Sequence, residues 1–319
     1  MSNINNNKKN KFVWLKYFIL ILILGIISFG VLFYFNSAQW LENKTNKDSI
    51  LILKELNVPK NISDNIVVFG NPKSNKVIIN AQGGPILELN NLELKIILGY
   101  ETGINPEDYF VVNVHQCQTL KTEFYSKNEI NFEEAKKCDE KTVSILADVV
   151  KYFKDQGKIV NVLGISFGAF VVEDLLANYD NIADKYIIEV GRLDMPKEVW
   201  EEFATGNYVG FEYDENGKAK IIPFDAEKAG MGGGNSIGDK NTMRIASGLG
   251  YKRFTELLKD KKLDNVFYAY GETDEQVGSL NEKEIEFLKS KNVKTYNIKG
   301  DHSKTIDTFS RDFLKKVLE

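Results

Sequence analysis

The sequence predicts an α/β protein built on a mostly parallel central sheet with helices on both faces, preceded by one N-terminal transmembrane helix. Three observations carry this. Short β-branched or aromatic runs alternate with amphipathic stretches along residues 64–319. Several of those runs lack the strict polar–apolar alternation of a half-exposed strand, as strands buried on both faces do. An uncharged apolar run occupies residues 17–35. Composition agrees: 43% of the 319 residues are apolar, enough for a large core and too many for wholesale disorder.

Residues 1–11 read as a basic tail and 12–35 as the anchor. The uncharged run is nineteen residues long, and at about 1.5 Å per residue it reaches about 28 Å, near the roughly 30 Å hydrocarbon core of a bilayer. Trp14 and Tyr17 stand at one end, Tyr34 and Trp40 at the other, as interfacial aromatics do. A cleaved signal peptide is the rival, but its apolar region is about 7–15 residues and needs small residues before the cut. Here Asn36 sits where a small residue is wanted, which favours an uncleaved anchor. Lys8, Lys9, Lys11 and Lys16 precede the span, whereas Lys44 and Lys47 follow it. That asymmetry predicts a single-pass protein with a cytoplasmic N-terminus and an extracytoplasmic C-terminal domain.

Residues 1–35 hold four of the 41 bases and none of the 45 acids, so the remainder carries 37 against 45, a net charge of −8. So acidic a domain is a poor partner for nucleic acid, whose binding rests on basic contacts to phosphate. Two Cys cannot build a disulfide scaffold, and no Cys/His cluster suggests a metal. In an oxidising compartment a bridge between Cys117 and Cys138, closing a loop of about 20 residues, would stabilise by roughly 3 kcal/mol. Two buried thiols are the alternative.

Residues 36–63 read as a linker with a short helix around 49–56, and 64–319 as one domain. Strands are expected at 65–69 and 76–80, read as a hairpin, and at 109–115, 159–163, 186–190, 265–270 and 293–298. Helices are expected at 132–153, 167–179, 282–289 and 305–318. One stretch breaks the rhythm. Residues 194–264 hold a helical piece near 198–203, an aromatic hairpin-like section and a glycine-rich run at 230–234. They read as a cap inserted above the sheet. The glycine run lacks the strand-to-helix setting of a phosphate loop and reads as a flexible segment.

The strand at 159–163 ends in Gly164-Ile165-Ser166-Phe167-Gly168, and a helix follows at once. A serine on so tight a turn needs a strained backbone, and glycines two residues to either side remove the Cβ atoms that would forbid it. The turn lifts the hydroxyl above the sheet edge and aims a helix N-terminus at a forming oxyanion. A serine nucleophile needs a base, and the chain has only two His. His302, in the loop after the last strand, is the candidate; His115 reads as structural. The base needs an orienting acid: Asp274, on the loop after the strand at 265–270, with Asp194 as its rival and Glu272 and Glu275 as solvated charges. Ala81-Gln82-Gly83-Gly84-Pro85 follows the second strand. Pro85 has no N–H, so Gly83 or Gly84 joins Phe167 as an oxyanion donor.

The order strand–GxSxG–helix, acid loop, terminal His resembles the α/β-hydrolase superfamily over about residues 60–319. The resemblance implies Ser166 as nucleophile, Asp274 as acid and His302 as base, on segments GISFG, YGETDEQV and GDHS. QGGP resembles the HGGP oxyanion loop of proline-iminopeptidase-like members, with Gln82 where His is usual. It implies a serine hydrolase without metal or organic cofactor, acting on a small-molecule or lipid acyl substrate. Two alternatives stay open. An aminopeptidase-like enzyme would need cap acids for a substrate ammonium, with Glu201 and Glu202 as candidates; a catalytically silent, membrane-displayed binding domain is the other.

Overall fold

The computed structural model describes residues 37–223 and 235–319. The expected anchor at 12–35 and the glycine-rich run at 230–234 lie outside these residues. Among the described residues no helix is long and apolar enough to cross a membrane. The chain divides into two compact units, 1–47 and 48–319, and the second carries the architecture that follows. Residues 37–55 are helical, a longer stretch than the short helix expected in a polar linker. Its Glu, Lys, Gln and Leu residues favour helix whatever their polarity.

In chain order the strands are β1 (Ile66–Gly70), β2 (Lys76–Ala81), β3 (Phe110–Val114), β4 (Ile159–Ile165), β5 (Lys185–Glu189), β6 (Val209–Tyr213), β7 (Ala219–Pro223), β8 (Val266–Gly271) and β9 (Lys294–Ile298). Among the described residues seven of them form one sheet in the order β1-β3-β2-β4-β5-β8-β9, and β6 pairs with β7 apart from it. Only β1 runs antiparallel to its neighbour in the large sheet. The hairpin expected between β1 and β2 does not form, because β3 lies between them. Burial explains the order. All but the first residue of β2 is buried, which suits a central strand, whereas β1 buries alternate positions only and takes the edge.

The main helices are α1 (Asn91–Lys95), α2 (Phe132–Asp155), α3 (Phe167–Asn178), α4 (Lys197–Thr205), α5 (Ile237–Gly250), α6 (Glu282–Ser290) and α7 (His302–Phe309). Alternate residues of each strand feed two separate cores. Val77, Ile79, Val160, Val162, Tyr186 and Tyr268 pack with α2 and α3 on one face. Ile78, Val111, Leu163, Ile187 and Phe267 pack with Leu94, Ile97 and Phe309 on the other. Truncating one such residue to Ala costs about 2–5 kcal/mol.

The insertion holds α4, the β6–β7 hairpin and α5, and α5 packs on α2 and α4. Asn241 of α5 is fully buried and bonds the backbone at Tyr125, Asn128 and Ile130, tying the cap to the body. Cys117 and Cys138 both stand as free thiols here. Each makes a hydrogen bond. Cys117 meets Tyr125 Oη at 3.1 Å, and Cys138 reaches Gln118 Oε1 at 4.0 Å. The hydrogen bond from Cys138 holds the Cys117 thiol down at about 7 against the effect of burial.

Where α5 crosses α2 the helices nearly touch: a Cβ on Gly248 would stand 2.0 Å from Asp139 Oδ2. Asp139 is fully buried, and neither carboxyl oxygen has a hydrogen-bond partner among the described residues. Burial raises its carboxyl well above the ordinary value, and the nearby Lys252 charge offsets this only in part. The folded state therefore holds a proton that the unfolded chain releases near pH 4. Its contribution to stability is complete below that pH and is lost as pH rises toward the folded value. Asp139→Asn is expected to flatten the fall in urea midpoint between pH 5 and 8; an unchanged slope would contradict this.

Candidate active site

The sheet edge at the carboxyl ends of β2, β4, β8 and β9 gathers the candidate residues. Ser166 follows β4 directly at φ 55°, ψ −118°, and α3 starts at Phe167. A non-glycine residue there stores about 1–3 kcal/mol. Two backbone contacts hold the turn: Ser166 N–H donates to Glu189 O at 2.9 Å, and Ala169 N–H donates to Ser166 O at 2.9 Å. The flanking glycines are required by close approach. A Cβ on Gly164 would lie 2.4 Å from Gly168 O, and one on Gly168 would lie 1.9 Å from Ala81 O. The start of α3 is thus pressed against the end of β2 with no room for a side chain.

His302 opens α7, capped by Asp301, whose side chain accepts Lys304 N–H. Its ring spans two partners: Nδ1 lies 2.8 Å from Asp274 Oδ2, and Nε2 lies 3.1 Å from Ser166 Oγ. A carboxylate only accepts, so Nδ1 carries the proton and Nε2 is free to accept from the serine hydroxyl. His302 and Asp274 are 3% and 1% exposed, so water does not compete for the pair. Burial acts against a charged ring, but the charge and hydrogen bond of Asp274, with Glu275 and Asp301 beyond, raise His302 above its ordinary 6.5. Burial likewise acts to raise Asp274. The His302 charge and hydrogen bond, with the N–H groups of Val277 and Gln276, hold it below its ordinary 3.8. Both of those N–H groups donate to Asp274 Oδ1 at 2.9 Å.

Gly83 packs against the Ile165–Ser166 backbone, 3.2 Å from Ile165 O when given a Cβ, and Gly84 takes φ +124°. Phe167 N–H is in the first turn of α3 and has no partner within the helix. Gln82, where the resemblance expects His, is a brace. Its Nε2 donates to Glu88 O and its Oε1 accepts Asn90 N–H, each at 2.9 Å.

The other candidates fall elsewhere. His115 bonds Thr119 Oγ1 at 2.9 Å, and burial lowers its ring to about 4, keeping it neutral. Asp194 binds Arg253 at 3.0 Å and the Thr255 hydroxyl at 2.6 Å. Glu275, expected to be a solvated charge, instead accepts His302 N–H at 3.0 Å and so anchors the start of α7. Two further supports carry no sequence motif. Buried Gln116 donates to Gln82 O at 2.8 Å behind the oxyanion loop. Tyr213, from the cap hairpin, donates to Asp274 O at 2.9 Å and accepts Ser279 N–H at 2.8 Å.

Two clefts meet at Ser166. One is apolar and lined by Phe167, Phe170, Met195, Phe203, Met243 and Val277 among others. The second is the more polar of the two, lined by Asn80, Gln82, Asn90, Glu93, His302 and Ser303 together with Ile86, Leu94, Ile97, Ile165 and Ile306 among others. Ser166, Gly84 and Gln276 border both. The arrangement is equipped for acyl transfer: a hydroxyl, a base, an orienting acid and backbone donors converge on one point.

Sheet order, the sharp strand-to-helix turn and the loops after β8 and β9 make this the α/β-hydrolase fold. No protein-family model and no curated protein matches the chain. Similar solved structures include a lipase-esterase related protein from Clostridium acetobutylicum, 14% identical, covering 79% of this chain and 96% of that one at TM-score 0.48. MenH from S. aureus is 14% identical over 80% of this chain and 99% of that one, TM-score 0.47. A carboxyl esterase from Bacillus coagulans is 12% identical over 80% and 94%, TM-score 0.47.

A neutral imidazole is needed for proton abstraction, so turnover should fall on the acid side of a pKa above 6.5, the value that Asp274 raises. Asp274→Asn is expected to move that limb to lower pH and to reduce kcat by about 10³–10⁴-fold. Steady-state rates between pH 5 and 9 check both, and an unmoved limb would separate Asp274 from His302.

Proposed function

We propose that this protein is a membrane-anchored serine hydrolase that cleaves carboxylic ester or lipid acyl bonds by two-step acyl transfer. The observation that carries the reading is the unbroken relay from Asp274 through His302 to Ser166, at 2.8 and 3.1 Å, on a strained turn beside the Phe167 N–H that opens α3. His302 takes the hydroxyl proton as Ser166 Oγ attacks the substrate carbonyl. Phe167 N–H, with Gly83 or Gly84, holds the tetrahedral oxyanion. Asp274 stabilises the imidazolium, which then gives its proton to the leaving group. Water, activated by the same ring, releases the acid and restores the serine.

The apolar cleft favours an ester over a peptide substrate. An aminopeptidase would need a carboxylate there to hold the substrate ammonium, and the described lining has none. Glu201 instead pairs with Lys197 at 3.5 Å and Glu202 bonds Asn207 at 2.7 Å, both away from the cleft. The membrane part of the reading rests on the apolar run and its four preceding lysines, a charge asymmetry that supports an extracytoplasmic hydrolase.

A membrane-impermeant fluorophosphonate probe applied to intact cells is expected to label Ser166, with labelling abolished in Ser166→Ala. Labelling only after permeabilisation would reverse the orientation. No labelling of folded protein in either case would overturn the hydrolase reading. Medium-chain p-nitrophenyl esters should be turned over in preference to amino-acid anilides.

A further inference from the structure

The two clefts divide a substrate between them, and the division follows from the proton. His302 must deliver its proton to the leaving atom, so the leaving group departs on the side that the ring lines. His302 and Ser303 line the polar cleft and not the apolar one. The acyl chain therefore occupies the apolar cleft, and the alcohol occupies the polar one.

The polar cleft has a chemical bias. Apart from His302, Glu93 is the ionisable side chain among its described lining residues. Glu93 Oε2 accepts Asn90 Nδ2 at 3.0 Å, while Oε1 has no hydrogen bond and no described cation pairs with the carboxylate. The nearby Lys95 ammonium lies over the Phe69 ring, 5.0 Å from its centre. Glu93 is open to the cleft, yet enough protein surrounds it that burial raises its carboxyl. A partly desolvated carboxylate without a counter-charge is a cost that a bound cation would offset. A second acceptor lies buried behind the same wall. Asn80 is 3% exposed, its Nδ2 is held by Asn113 at 2.9 Å, and its Oδ1 has no partner among the described residues. Gln82, by contrast, has both ends engaged. The wall carries a negative charge, and no described Lys or Arg lines it. The net charge of −8 beyond residue 35 draws cations to it.

We infer that Glu93 selects a positively charged leaving group, so that the preferred substrates are acyl esters of ammonium-bearing alcohols. This rests on the hydrolase reading and narrows it.

The test uses butyrylcholine and its uncharged isostere, 3,3-dimethylbutyl butyrate, with the full chain. The wild type is expected to favour the cationic ester by about tenfold in kcat/KM, chiefly through KM, and to lose the preference at high ionic strength. Glu93→Gln should bring the ratio of the two esters within about twofold of one, while Glu93→Asp keeps an intermediate ratio. Gln still caps the helix start, so the variant should fold. A wild-type ratio near one, or a ratio that persists in Glu93→Gln, would overturn the inference while hydrolysis of the neutral ester left the hydrolase reading intact. If neither ester turned over, that reading would fail, and calorimetric titration of Ser166→Ala with choline would decide the site. Binding weakened at least tenfold by Glu93→Gln would keep the site, and no saturable binding would end it.

Discussion

A serine hydroxyl near neutral pH is a poor nucleophile, and it becomes a good one only beside a base held in a single tautomer. Here that constraint is the 2.8 Å contact between Asp274 and His302. The pair is almost wholly buried, where an unpaired charge would cost several kcal/mol. The cost is contained because the acid accepts two backbone N–H bonds besides the ring. His302 lies 136 residues from the serine it serves, so the sheet register has to bring their loops to one edge. Parallel pairing of β4 with β5, of β5 with β8 and of β8 with β9 does this.

The same edge explains why small residues stand where they do. Gly164, Gly168 and Gly83 leave room for the start of α3 to press on the ends of β2 and β4. That contact brings the serine and the oxyanion loop within reach of one carbonyl group. Support comes from behind through Gln116 and from above through Tyr213. The Tyr213 link means that the cap is fastened to the acid loop as well as covering the apolar cleft. Movement of the hairpin and geometry of the triad are therefore physically connected.

Much of this was legible in the sequence. The large-sheet strands show themselves as β-branched or aromatic runs because both their faces are buried, and the serine turn shows itself because only glycine fits around it. Chain order of Ser166, Asp274 and His302 fell out of strand-end positions. What escaped has physical reasons too. The expected β1–β2 hairpin is replaced by β1-β3-β2 order, because proximity along the chain does not tell which strand is buried enough to sit between neighbours. Helix α5 carries no apolar stripe in the sequence, because its buried residues include Gly, Asn, Thr and Ser beside Ile245 and Leu249. Helix α1 is five residues long and carries Glu93 without any periodic pattern. Glu275, Gln116 and Gln82 act through the backbone atoms they bind, and the identity of such partners is visible only in three dimensions.

The central claim is that Ser166 becomes covalently acylated during turnover. Rapid acid quench of the enzyme with a p-nitrophenyl ester, followed by peptide mass spectrometry, measures this directly. A mass increase equal to the acyl group on the peptide that contains Ser166, forming at the rate of the p-nitrophenol burst, is the predicted result. Ester hydrolysis that proceeds with Ser166 unmodified, or with the acyl group on another residue, would contradict the account.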